Sequence, residues 1–309
     1  MNLSLSRSFP IAKAALAAAV IACVVALTCS LAGCASGGTG SSSADADNTS
    51  ASTDGKTLAY PPFETKDDAG NPEGLAVDFI RDFGAAYGYD VQIENTAWDG
   101  LIPSLQSDKA DLVISSMTIT DERKQSVDFS DAYAMAQLAI LANADSGVAS
   151  IDDLNQPGKK VAVKTGSTGD VYATKNLTNA EIVRLADESA CVTEVVQDKA
   201  DGFLYDQLTI YRNNQANPDT TEAVFIPFQD PEYWGVAVAD GNDELRAQFN
   251  EFIAQCKQDG TFEELTQEFL ADEKAAFDEL GFRWFFDFDD AGAADGAADD
   301  GSASAEDAA

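Results

Sequence analysis

The 309-residue chain carries 19 Lys and Arg against 53 Asp and Glu, a formal charge of −34, and it contains no histidine. That balance excludes a nucleic-acid partner, because phosphate binding needs clustered cations, and the missing imidazole excludes a Ser-His-Asp triad and the His-containing zinc sites. A hydrophobic content of 45% excludes disorder of the whole chain, and the length predicts about two domains.

Residues 1–33 read as an address. Arg7 and Lys13 give a positive start, Ala14 to Leu27 is apolar, and Leu31-Ala32-Gly33-Cys34 follows. The apolar run has signal-peptide length, shorter than the ~20 residues of a membrane span. The tetrapeptide looks like a bacterial lipobox, which implies acylation of Cys34 and a body tethered outside the cytoplasm. Residues 34–57, rich in Ala, Ser, Gly, Thr and Asp, predict a flexible tether. Residues 287–309 hold eight acids and no Lys or Arg, and predict a solvated, disordered tail. No segment has EF-hand spacing, so neither a metal nor a cofactor is expected.

Between these ends helix and strand patterns alternate. Val77, Ile80 and Tyr87 share one helix face that Gly88 can end, and Val91 and Ile93 alternate as a strand. Residues 111–115, 137–142, 160–163, 182–185, 202–205, 223–226 and 234–239 read as further strands, and Ser150 to Asp153 has capping-box spacing. Leu245, Phe249, Phe252, Ile253 and Cys256 form a helical stripe, and Thr261 with Glu264 predicts the cap of a last helix. The alternation predicts an α/β fold with mainly parallel sheets. Cys191 and Cys256 fall on apolar helix positions and read as buried thiols, with a disulfide as the alternative.

In such folds ligands gather at the carboxyl ends of strands. Three strand ends carry polar chemistry. After 111–115, Thr120 is a plausible cap and Arg123 lies in the first turn, where a cation opposes the helix dipole unless an anion shares the site. After 160–163 the Thr165–Gly169 loop offers hydroxyls and backbone for an anion, and after 202–205 comes Asp206, an acceptor for an ammonium. Together they supply what an α-amino acid zwitterion needs.

These stretches also carry a family resemblance. Tyr60-Pro61-Pro62-Phe63-Glu64, Trp98 to Leu105, Ser115 to Arg123, Val127 to Asp131, Gly158 to Val163 and Gln258 to Phe262 resemble the family 3 extracellular solute-binding proteins, receptors of polar amino-acid ABC importers. The resemblance covers about Leu58 to Phe269. It implies two lobes, 58–139 with 234–286 and 140–233, joined by a hinge of two crossing segments and closing on the amino acid. It implies that Arg123 clamps the α-carboxylate, a task a planar guanidinium fits better than Lys, with Thr118 and Thr168 as further donors. Asp206 and the Ser116 carbonyl would hold the α-ammonium, and Tyr60 and Trp98 would enclose the side chain. The partners implied are one amino acid, the permease subunits, and the membrane through the lipid on Cys34; the protein reads as a monomer.

Two departures stand out. The family's first-lobe strand normally precedes the Tyr-Pro-Pro-Phe block, whereas here only Thr57-Leu58-Ala59 does, so a central strand is shortened or missing. The family's Gly-aromatic-acid pattern appears as Gly74-Leu75-Ala76, without the acid. In the family's basic-amino-acid binders that acid and one from the missing strand receive the cationic side chain, so the resemblance argues against Lys, Arg or ornithine. Lys164 sits where the glutamine-binding relatives have a side-chain-reading Lys, and a Lys donor favours a carbonyl or carboxylate, hence glutamine or glutamate. An enzyme is the rival reading, because some relatives are dehydratases acting on cyclic precursors of aromatic amino acids. That chemistry needs a carboxylic general acid near the cleft, and no residue stands out for that role; a sensor lipoprotein is a third reading.

Overall fold

The structure, a computed structural model, describes residues 1–7 and 60–287. The lipobox, the tether and the acidic tail beyond Asp287 lie outside the described residues.

In chain order, β1 (Asn2–Arg7) is followed by the hairpin β2 (Thr65–Lys66) and β3 (Pro72–Glu73), α1 (Leu75–Tyr87), β4 (Tyr89–Glu94), α2 (Leu101–Gln106), β5 (Leu112–Val113) and β6 (Asp128–Phe129). Next come β7 (Ala134–Ala136), β8 (Leu138–Asn143), α3 (Ile151–Leu154), β9 (Lys160–Lys164), α4 (Thr168–Asn176), β10 (Glu181–Leu185), α5 (Glu188–Val196), β11 (Gly202–Asp206), α6 (Gln207–Ala216) and β12 (Thr221–Val224). The chain ends in β13 (Glu232–Trp234), β14 (Ala237–Val238), α7 (Asp243–Asp259), α8 (Thr261–Phe269) and α9 (Ala271–Leu280).

Two five-stranded sheets give the fold its two lobes, in the orders β4-β1-β5-β14-β6 and β10-β9-β11-β8-β12. Between them β7 and β13 pair antiparallel, with Glu232 opposite Ala136 and Trp234 opposite Ala134. These are the two segments that cross between the lobes. The expectation of mainly parallel sheets holds for β10, β9 and β11. It fails for β8 and β12 of the second sheet, which pair antiparallel, and for the whole first sheet, whose pairings are antiparallel. There β1 enters from the N-terminus and β14 returns from the other lobe, so neither arrives through a helix crossover.

The missing central strand has a substitute. β1 pairs with β4 over six residues, from Asn2–Glu94 to Arg7–Tyr89, and with β5 through Asn2–Val113 and Leu3–Leu112. Met1 and Leu3 are fully buried. The alternation of Leu3 and Leu5 with Ser4 and Ser6 is the period-two pattern of a half-buried strand. The sequence reading gave this segment to the leader on the positive start, the length of the apolar run and the terminal Cys together. In the structure residues 2–7 are a central strand.

The helical stripes form as their spacing predicts. α1 buries Val77, Phe79, Ile80 and Phe83 and ends at Gly88 in the left-handed conformation, φ 74°. Its start needs glycine as well: Gly74 has φ 117°, and a Cβ there would meet the Pro62 carbonyl oxygen at 2.5 Å. α7 buries all five residues of its stripe and lays Phe249 on Phe83, with ring centroids 3.7 Å apart. α8 differs from expectation at its start, where Gly260 is the cap and Thr261 Oγ1 donates to Asp259 instead. Nor is it the last helix. α9 follows, burying Phe277, and Trp284 and Phe285 then close the core against Phe63. With one deeply buried side chain among ten residues, α9 has too little apolar periodicity to be read from sequence. Cys191 and Cys256 are both buried and free, and burial pushes both thiols up, that of Cys256 to about 11.

Candidate functional site

One cavity of about 450 Å³ is lined from both lobes and from the crossing strands. All eight residues singled out in the sequence, Tyr60, Trp98, Ser116, Thr118, Arg123, Lys164, Thr168 and Asp206, are on its wall. The fold brings them there by local devices. β5 runs into the turn holding Ser116, a non-glycine residue at φ 46°, a strained conformation of the kind concentrated at ligand sites. The Thr120 hydroxyl accepts from the Arg123 backbone N–H at 3.2 Å, but the residue at the cap position of the short 3₁₀ turn Arg123–Gln125 is Glu122, not Thr120 as expected.

Arg123 is held from two sides. Nη1 donates to the Thr118 carbonyl at 2.7 Å, Nη2 to the Gly166 carbonyl at 3.2 Å, and the guanidinium lies 5.3 Å from the Trp98 ring centre. Burial lowers its pKa, and the negative charge of Glu232 opposes that shift. Two of its five N–H groups are thereby used, leaving donors for an anion.

The Thr165–Gly169 segment is less of a loop than expected. Ser167 caps α4 by accepting from the Asp170 N–H, so Thr168 and Gly169 already belong to the first turn. Gly169 lets the helix touch β11: a Cβ there would meet the Leu204 carbonyl oxygen at 2.5 Å. Asp206 is likewise more than a strand end. It caps α6, its Oδ1 accepting from Leu208 N and Thr209 N and from the Tyr60 hydroxyl at 2.8 Å. Oδ2 accepts from Thr209 Oγ1 at 2.9 Å and has lone-pair capacity for a second donor. Burial raises its pKa, and these hydrogen bonds pull it back.

Lys164 departs most from its expected role. Its Nζ is 2.9 Å from Glu188 Oε1, 3.4 Å from the Tyr205 hydroxyl and 4.6 Å from the Trp98 ring centre. Its charge is therefore already matched within the cavity wall, and Trp98 lies between two cations. Sequence reasoning missed Glu188, Tyr205 and Glu232. Glu188 follows the Asp187 cap of α5 and was legible only as part of a helix start. Glu232 stands in a crossing strand, where an acid has no periodic signature. Its Oε2 accepts from Thr118 Oγ1 at 3.0 Å and Thr168 Oγ1 at 2.7 Å, and its Oε1 accepts from Gln229 Nε2 at 2.7 Å. Beside Asp206, which the sequence placed in the site, four acids that it did not mark line the cavity, Asp99, Asp187, Glu188 and Glu232. Burial raises the Glu232 pKa, against its three hydrogen bonds and Arg123.

Behind the wall, Ser116 Oγ donates to Glu64 Oε1 at 3.2 Å. Burial raises the Glu64 carboxyl from 4.5 to about 7, and burial lowers the Met1 ammonium from 8.0 to about 5. For a carboxyl raised on folding, stability is full below pH 4.5 and falls as pH rises toward 7. Glu64→Gln is therefore expected to stabilise the protein at pH 8 by up to about 3 kcal/mol and to change little at pH 4.5. Paired denaturant titrations measure this. Equal gains at both pH values would show that the Glu64 charge does not carry the cost. Among the described residues no group of acids and thiols could hold a metal ion, and no helix is long and apolar enough to cross a membrane.

The sequence profile of the bacterial extracellular solute-binding proteins, family 3, matches residues 55–272. A probable histidine-binding protein of Neisseria gonorrhoeae is 32% identical over 217 residues, 69% of this chain and 81% of that protein. Among solved structures, an ancestral amino acid-binding protein, a precursor of cyclohexadienyl dehydratase, is similar at 35% identity and a TM-score of 0.63, covering 69% of this chain and 91% of its own. An ancestral arginine-binding protein bound to glutamine is similar at 32% identity and a TM-score of 0.63, covering 69% of this chain and 94% of its own.

Proposed function

We propose, from the premise that the chain belongs to the bacterial extracellular solute-binding proteins of family 3, that its cavity takes one polar α-amino acid and presents it to an ABC importer. The observation that carries this is a guanidinium and a carboxylate on opposite lobes facing one cavity: Arg123 for the α-carboxylate, and Asp206 with the Ser116 carbonyl for the α-ammonium. Tyr60 and Trp98 enclose the side chain. Closure follows from a ligand that touches both lobes and so binds the closed state better. The lipid on Cys34 would keep the receptor, a monomer, at the outer face of the membrane.

Glutamine is favoured over glutamate. The Lys164–Glu188 pair is neutral as a unit and offers a donor and an acceptor side by side, which an amide uses in full, whereas a side-chain carboxylate would face Glu188. A thermal-shift screen of the twenty common amino acids tests the reading. A ligand at a hundred times its Kd adds about 2.7 kcal/mol, so the melting temperature should rise with a polar amino acid and most with glutamine. No rise with any of the twenty would refute it.

A second reading has one observation in its favour: Glu232, an acid with a raised pKa, lies in the cavity of a chain similar to a dehydratase precursor. Incubation with a cyclohexadienyl carboxylic acid separates the two. A receptor leaves it unchanged, and a dehydratase releases an aromatic product seen by its ultraviolet absorbance.

A further inference from the structure

We infer that Glu232 is an internal stand-in for the ligand carboxylate, occupying with one oxygen the two threonine hydroxyls beside Arg123, so that an α-amino acid binds by displacing it. The inference rests on the amino-acid reading above and adds a competitor inside the site.

The geometry is that of a bound carboxylate. Thr118 follows β5 in the first lobe and Thr168 opens α4 in the second, yet both hydroxyls converge on Glu232 Oε2, at 3.0 and 2.7 Å. A hydroxyl has one proton to give, so each one spent on Glu232 is withheld from a second carboxylate. Arg123 attracts the Glu232 charge while its Nη1 and Nη2 bond the Thr118 and Gly166 carbonyls. The carboxylate of Glu232 thus has the electrostatic partner and the hydroxyl donors that a ligand carboxylate requires. Two carboxylates sharing such donors repel, which disfavours both staying charged there, and the ligand gains the two hydroxyls when Glu232 gives them up. Glu232 is also the first residue of β13, paired with Ala136 of β7. Its displacement therefore acts on a strand that crosses between the lobes.

The test is calorimetry on the full chain and its Glu232→Gln variant. The probes are L-glutamine, L-histidine and L-arginine, each beside its decarboxylated counterpart, 4-aminobutanamide, histamine or agmatine. Removing the competing charge is expected to tighten every amino acid that the parent binds by about fivefold or more, with no gain for the matching amine. Glu232→Ala, which removes the acceptor altogether, should tighten the same amino acids and guards against a folding defect in the first variant. Unchanged or weaker amino-acid binding in both variants, or an equal gain for the amines, would overturn the inference while leaving the receptor reading intact. Failure of parent and variants alike to bind any of the twenty common amino acids would overturn both.

Discussion

Arg123→Ala is expected to weaken amino-acid binding by about 2–5 kcal/mol, because the ligand carboxylate is left buried without its cation. That is a rise in Kd of at least about thirtyfold. The guanidinium is fixed before any ligand arrives, by the Thr118 and Gly166 carbonyls and the face of Trp98, so little ordering cost falls on binding. Arg123→Lys keeps the charge but loses the fork, and an intermediate loss is expected. The melting temperature should move far less than the affinity, since only two hydrogen bonds to carbonyls are lost. Calorimetry reads the affinities, and an unchanged Kd in Arg123→Ala would remove this residue from the site.

The second large effect concerns β1. A chain beginning at Cys34 is expected to be less stable than the full chain by about 3–6 kcal/mol, from the burial of Met1 and Leu3 alone. It would also leave the facing edges of β4 and β5 without their central partner. Denaturant midpoints of the two chains measure the difference, and a synthetic peptide of residues 1–7 added to the shorter chain should restore part of it. Equal midpoints would show that the first lobe stands without β1. The result bears on the leader reading, because cleavage before Cys34 would separate β1 from the rest of the chain.

What the sequence made legible follows from periodicity and local motifs. α1 and α7 repeat apolar residues at helical spacing; α7 buries all five so marked, and α1 buries Val77 and Ile80 with Tyr87 half-buried at its end. Arg123 was found because a cation in a first turn opposes the helix dipole, and Asp206 because it is an acceptor at a strand end. The remainder depends on contacts between distant segments. Lys164 lost its solitary role to Glu188, across a separation that no local pattern records. Glu232 meets its two threonines only once β13 has crossed between the lobes. β1 carried a legible alternation, yet its position between β4 and β5 depends on a pairing remote in sequence. The antiparallel first sheet follows from that pairing and from the return of β14 rather than from the helix–strand alternation that predicted parallel strands.

A crystal structure of the protein with the amino acid that raises its melting temperature most tests the central claim directly. The account predicts the α-carboxylate within hydrogen-bond distance of the Arg123 guanidinium and the α-ammonium on Asp206 Oδ2, with the side chain between Tyr60 and Trp98. A ligand bound with its carboxylate away from Arg123, or bound outside this cavity, would contradict it.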